Sequence, residues 1–179
     1  MGFALFKEQR RIMKKILFTC LMIFSLTAWG QAGKQEMQLA AAAYQKGDSK
    51  TAFKHLQNAA NAGDAEGAYN LSIAYGNGDG VKASEKEALK WLKVAADRNH
   101  LPAQYELAVY YLSNRQAKNA APILKRLADQ GDAASQLNYG LMLIGGDGVK
   151  KAPKEGKSYI QKSANQGFPP AQEVLQRLK

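Results

Sequence analysis

The chain has 179 residues, 46% hydrophobic and 22% charged, a balance that excludes a disordered polyelectrolyte. Its formal charge is +10, but residues 1–30 carry five Lys/Arg and one acid, so the remainder holds 20 basic and 14 acidic residues, a mild +6. These charges are spread along the chain, with short clusters only at Lys125–Arg126 and Lys150–Lys151–Lys154–Lys157, which predicts a solvated positive face and argues against a nucleic-acid binder.

The first segment reads as a leader. Met13-Lys14-Lys15 precedes an apolar run, Ile16 to Leu26, and small residues follow at Ala28 and Gly30. A positive stub, a short apolar stretch and small residues two apart are the pattern of a secretory signal peptide; the stretch is too short for a comfortable membrane span. The expectation is a signal peptide at about 13–30, cleavage after Gly30 (Ala32 is the second choice) and a periplasmic or secreted bacterial protein. Translation from Met13 and an uncleaved anchor stay open. The single cysteine, Cys20, lies inside the run, so a processed chain forms no disulfide and depends on packing alone.

Beyond the leader the chain repeats itself. Ala59-Ala60-Asn61-Ala62-Gly63 recurs as Ala95-Ala96-Asp97-Arg98-Asn99, Leu127-Ala128-Asp129-Gln130-Gly131 and Ser163-Ala164-Asn165-Gln166-Gly167, spaced 36, 32 and 36 residues apart. In the same register, Gly78-Asp79-Gly80-Val81-Lys82 returns 68 residues later as Gly146-Asp147-Gly148-Val149-Lys150. Triplets spaced four then three (Ala52/Leu56/Ala59, Ala88/Leu92/Ala95, Ala120/Leu124/Leu127) put their side chains on one helical face. Each unit therefore reads as two helices, A then B. In the second unit A covers roughly 65–75 and B roughly 84–97, with Ser84 as N-cap and Glu87 at the capping-box position. The first and third units turn instead at Lys46-Gly47-Asp48 and Ser113-Asn114-Arg115, where a length change costs little.

These residues resemble the Sel-one-like repeat family, a relative of tetratricopeptide repeats. The likeness is carried best by Ala65, Tyr69-Asn70-Leu71, Tyr75, Gly78-Asp79-Gly80-Val81, Ala88, Trp91-Leu92 and Ala95-Ala96, and it extends to 133–168. The resemblance implies an all-α fold, a right-handed α-solenoid of about four helix-turn-helix repeats (33–64, 65–100, 101–132, 133–168) plus a C-terminal capping helix at 169–179. The domain would span 33–179 after the N-terminal extension and signal peptide at 1–30. Trp91 gives way to Pro122-Ile123 and to Tyr159 in later units, which predicts weaker packing in the third.

No residue pattern asks for catalysis, a metal or a cofactor. His55 and His100 come from different repeats without a ligand-spaced partner. Gly76–Lys82 lacks both the lysine spacing of a phosphate loop and the alternating acids of a calcium loop. Some cysteine-rich relatives have been described as β-lactamases, but their Cys pairs are absent here, and an envelope hydrolase is the least favoured function.

The expected activity is binding. Stacked helix pairs make a curved superhelix whose A helices line the concave side. That register sends Tyr44, Glu66, Tyr69, Ile73, Tyr105, Val109, Leu112, Leu137, Leu141 and Ile144 toward the groove or its walls. Tyr44, Glu66, Tyr69, Tyr105 and Leu112 are the candidate partner-binding residues, the tyrosines being equally consistent with packing against a neighbouring repeat. For Ile73, Val109 and Leu141 the core is the expected place. The leading function is an exported adaptor holding a protein or peptide partner. The alternative, implied by the resemblance, is a periplasmic immunity protein that neutralises a secreted phospholipase-type effector.

Overall fold

The computed structural model describes residues 31–178; the leader and its export reading lie outside them. Among the described residues every regular element is an α-helix. In chain order these are α1 (31–45), α2 (Ser49–Asn61), α3 (Ala65–Asn77), α4 (Glu85–Asp97), α5 (Leu101–Ser113), α6 (Ala117–Asp129), α7 (Ala133–Gly145), α8 (Pro153–Asn165) and α9 (Pro169–Arg177). Odd-numbered helices are the A members of each repeat, and even-numbered ones the B members.

The turn from B to the next A explains the strongest sequence signal. At the fifth position of each recurring motif the backbone is left-handed: φ is 88° at Gly63, 63° at Asn99, 99° at Gly131 and 82° at Gly167. That conformation suits glycine, and asparagine next best. It lets the following N–H reach back to the first residue of the motif: Asp64 to Ala59 at 3.0 Å, His100 to Ala95 at 3.1 Å, Asp132 to Leu127 at 3.0 Å and Phe168 to Ser163 at 3.4 Å. Three of the reaching residues also cap the next helix through their side chains. Asp64 accepts from the Gly67 amide, His100 Nδ1 from Ala103 and Asp132 from Ser135. Each such cap stabilises by about 1 kcal/mol. Ser84 caps α4 as expected, its hydroxyl accepting from the Glu87 amide.

By contact the described residues divide into two compact units, 31–88 and 89–178. In the first, Ala52, Leu56, Ala59, Ala68 and Leu71 are buried, and Phe53 meets Tyr75 edge-on at 5.2 Å. In the second, Ala108, Ala120, Leu124, Ala128, Tyr139, Met142 and Tyr159 form one cluster, while Leu137, Ile160, Ala164 and Ala171 form another that α9 completes. The third repeat thus sits in the middle of its core rather than packing weakly. Ala120, Ala121 and Ala128 of α6 are buried, and Pro122 is exposed to solvent. The ladder is looser than expected in α4, where Ala95 is buried but Ala88 and Leu92 are half-buried.

A second periodic contact fastens the repeats of the second unit. The Gln104 side-chain amide donates to the Ala96 carbonyl at 2.8 Å, Gln136 to Ala128 at 3.1 Å and Gln172 to Ala164 at 3.3 Å. Gln172 lies on α9, so the predicted capping helix takes the A position of a further repeat.

Candidate functional site

A recess opens on the A helices of each unit. The first holds about 270 Å³ between α1 and α3, lined by Met37, Ala41, Tyr44, Asn70, Ile73 and Asp79, among others. Burial, and then the Asp79 carboxylate, raises the Tyr44 hydroxyl above its ordinary pKa, so it stays a neutral donor. The second holds about 440 Å³, with Leu101, Pro102, Tyr105, Leu127 and Ala134 as its apolar lining and Gln130 and Asp132 as its polar part. The Tyr105 hydroxyl accepts from Asn138 Nδ2 at 3.1 Å, which fixes the ring on the wall of the recess.

The predicted residues fall in different settings. Tyr44 and Tyr105 line recesses. Glu66 is exposed in the first turn of α3 and Tyr69 is half-buried, and neither lines the recess beside them. Leu112 packs against the cluster around Leu124 and Tyr139. Ile73, Val109 and Leu141, expected in the core, are 40%, 41% and 41% exposed. Leu137 and Ile144, expected at the groove, instead pack toward Ile160 and α9. On α7 the exchange has a plain cause. Helix α7 has no charged residue, so nothing in its composition marks a solvent face, and Gly140 against Gly156 decides which side meets α8. A β-carbon on Gly140 would stand 2.7 Å from the Gly156 oxygen.

Leu101 is the feature the sequence reading missed. It is 54% exposed at the mouth of the larger recess, at the repeat position held by Ala65, Ala133 and Pro169 elsewhere. One bulky residue where its equivalents are small was the available signal.

Polar chemistry concentrates on the B helices of the second unit. Tyr159 donates to Asp129 Oδ1 at 2.6 Å, and Lys125 Nζ meets Asp129 Oδ2 at 2.6 Å. Lys125 first and Tyr159 second hold the Asp129 carboxyl below the usual carboxylate range. Tyr139 meets the Tyr159 ring edge-on at 5.1 Å, and Lys162 Nζ lies 5.1 Å from its centroid. This network ties α8 to α6; its tyrosines are buried against apolar neighbours. In the first unit His55 Nδ1 lies 2.7 Å from Glu36 Oε2 and ties α2 to α1. Among the described residues no three His, Cys, Asp or Glu gather as metal ligands, and no helix is long and apolar enough to cross a membrane.

Paired helices joined by repeated turns, with recesses and half-open apolar side chains on the A members, define a helical-repeat scaffold. Four stretches, 36–64, 65–100, 101–118 and 133–168, match the model of the Sel1 repeat, together more than half of the chain. The chain belongs to the Sel1 repeat family, whose members generally act as protein-interaction scaffolds. A Sel1 repeat protein from Oxalobacter formigenes superposes with a TM-score of 0.74 at 27% identity, over 88% of this chain and 48% of that one. A protective antigen of uropathogenic Escherichia coli with the same fold gives 0.63 at 28% identity, over 84% of this chain and 32% of that one. An F-box protein of Arabidopsis thaliana is 40% identical over 67 residues, 37% of this chain and 18% of that protein. This chain therefore spans less than half the length of each of these proteins.

Proposed function

We infer that this protein is an exported adaptor that holds a segment of a partner protein against its A helices. The observation that carries this reading is the α5–α7 face of the second unit. There Leu101 stands 54% exposed at the Tyr105 recess, and Val109 and Leu141, further along α5 and α7, are each 41% exposed. Single exposed apolar residues are ordinary, but a group beside a concave recess is the form of an interaction site. A buried aromatic or aliphatic anchor from a partner would gain about 2–3 kcal/mol from the area it removes from water. The tyrosine adds a fixed hydroxyl, and α5 and α7 carry no Lys or Arg whose desolvation would oppose docking. The leader pattern at residues 13–30 supports export.

The test is site-specific photocrosslinking in cells. A photoreactive residue at Val109 or Leu141 should give one discrete adduct, and Tyr105→Ala should weaken it. The same residue at Lys118 should give none. Adducts from Lys118 with none from Val109 and Leu141 would move the binding face and end this reading. Export is checked separately by N-terminal sequencing of the accumulated protein, which should begin at Gln31.

A further inference from the structure

The charge of the chain is not spread as evenly as its totals suggest. Residues 31–88 hold six basic and seven acidic residues, net −1, whereas residues 89–179 hold fourteen and seven, net +7. Within the second unit the segregation goes further. Helices α5 and α7 carry no basic residue. Helices α6 and α8, with the loops that precede them, carry seven Lys and two Arg against Asp129, Asp147 and Glu155, and all nine are exposed.

The fold gathers these charges onto one side. The α7–α8 loop lies across the start of α6, where a β-carbon on Gly148 would stand 2.7 Å from the Lys118 backbone nitrogen. Lys150 and Lys151 follow that contact by two and three residues, while Pro153 starts α8 and Lys154 and Lys157 fall in its first two turns. Further along, Asp129 and Tyr159 hold Lys125 and Lys162 together across the two helices. Lys118, Lys150, Lys151 and Lys154 make no ion pair among the described residues. Such a concentration of unpaired like charge repels itself, and a partner of opposite sign would relieve it.

The character of the surface narrows that partner. Lysine outnumbers arginine, which suits many loosely placed anions better than planar bidentate carboxylates. The tyrosine of α8, Tyr159, is buried with its hydroxyl committed to Asp129, so it offers no platform for nucleobases. The large exposed apolar residues, Leu39, Tyr44, Ile73, Leu101, Val109 and Leu141, all lie on A helices. The α6–α8 face is therefore charged without being greasy. Lysine clusters of this size attract anionic lipid headgroups, each lysine strengthening binding about fivefold.

We propose that the α6–α8 face of the second unit docks the protein peripherally on an anionic phospholipid surface. Binding is electrostatic and salt-reversible, leaving the A-helix face open. The proposal does not depend on the A-helix reading and can fail without it.

The experiment uses the full-length protein as it accumulates in cells. Sedimentation is measured with vesicles of phosphatidylcholine alone and of equimolar phosphatidylcholine and phosphatidylglycerol, at low and high salt. Any leader retained is common to every chain compared, and its apolar run is not released by salt. The salt-releasable binding to the anionic vesicles is therefore the readout. Replacing Lys118, Lys150, Lys151 and Lys154 with Gln should weaken it more than a hundredfold by the per-lysine factor above. Replacing Lys34, Lys46, Lys50 and Lys54 of the first unit with Gln removes the same charge and should leave it within a few fold. Equal losses from both sets, or no loss from the first, would overturn the proposal. So would tighter binding to a short DNA duplex than to anionic vesicles at equal phosphate. Circular dichroism of each variant separates lost docking from lost folding.

Discussion

Gly148 lies so close to Ala117 that a β-carbon on it would stand 2.5 Å from the Ala117 carbonyl carbon. Gly80, 68 residues earlier, meets Ser49 in the same way, and a side chain there would overlap the Ser49 carbonyl. Each long loop thus rests on the first turn of the B helix of the repeat before it. Each is closed by the same backbone bond, Ser84 to Tyr75 and Ala152 to Leu143, both at 2.8 Å. The recurrence of Gly-Asp-Gly-Val at that interval therefore has a steric cause. A repeat with a short A–B turn leaves room for the long loop of the next.

Gly80→Ala is expected to destabilise the protein far more than Gly47→Ala. Both positions are left-handed, φ 71° and 74°, but nothing lies within 4 Å of a β-carbon at Gly47. The backbone penalty, about 1–2 kcal/mol, is common to both. Overlap with a backbone carbonyl adds about 1–3 kcal/mol at Gly80 alone. Urea unfolding of the two variants measures the difference, and equal midpoints would contradict the close-approach account.

The glycine spacings made the repeats, the turns and the loop positions legible before any coordinates. Spacing reports on the backbone, and the backbone repeats. The orientation of α5 and α7 was not legible. Both are apolar on most of their circumference, with Glu106 the one charged residue between them, so periodicity does not choose a buried side. Hence Val109 and Leu141 are expected in the core and Leu137 and Ile144 at the groove, the reverse of their places; on α3, Ile73 is likewise exposed rather than buried. The glutamine contacts were hidden for a related reason. An isolated glutamine in a helix reads as a surface residue, and only the 32- and 36-residue intervals between Gln104, Gln136 and Gln172 tie them to the turns.

Gln136→Leu should cost about 1–2 kcal/mol despite its similar volume, the usual worth of a buried hydrogen bond whose partner stays behind. Gln136 is 5% exposed. Its Nε2 holds the Ala128 carbonyl, and its Oε1 accepts from Gln166 Nε2 at 2.8 Å. Hydrogen exchange should quicken at the α6–α7 turn before the rest of the second unit. An unchanged melting temperature would show the contact to be incidental.

The Tyr159 hydroxyl is pushed up to about 12, first by its bond to Asp129 and then by burial. A tyrosine in the unfolded chain titrates near 10. The folded value is the higher one, so the stabilisation is complete below pH ~10 and drains away as pH rises toward ~12. Tyr159→Phe should therefore lower stability by about 1–2 kcal/mol at neutral pH. The gap to the parent protein should narrow across that alkaline window. Melting temperatures of both chains as a function of pH test this, and a constant gap would mean the hydroxyl is not held by Asp129.

Ser135 is fully buried, and its hydroxyl has no hydrogen-bond partner among the described residues. Its backbone N–H is already used by the Asp132 cap. Equivalent positions in the other A helices are Gly67, Ala103 and Ala171, so the site is built for a small residue and does not call for an oxygen. Burying an unpaired hydroxyl costs about 1–3 kcal/mol. Ser135→Ala keeps the β-carbon and removes that cost, with at most a small void in exchange. The substitution should raise stability by about 1 kcal/mol, an uncommon direction for a change at a fully buried position. Urea unfolding decides it. A lowered midpoint would reveal a partner for the hydroxyl, such as an internal water held between α6 and α7.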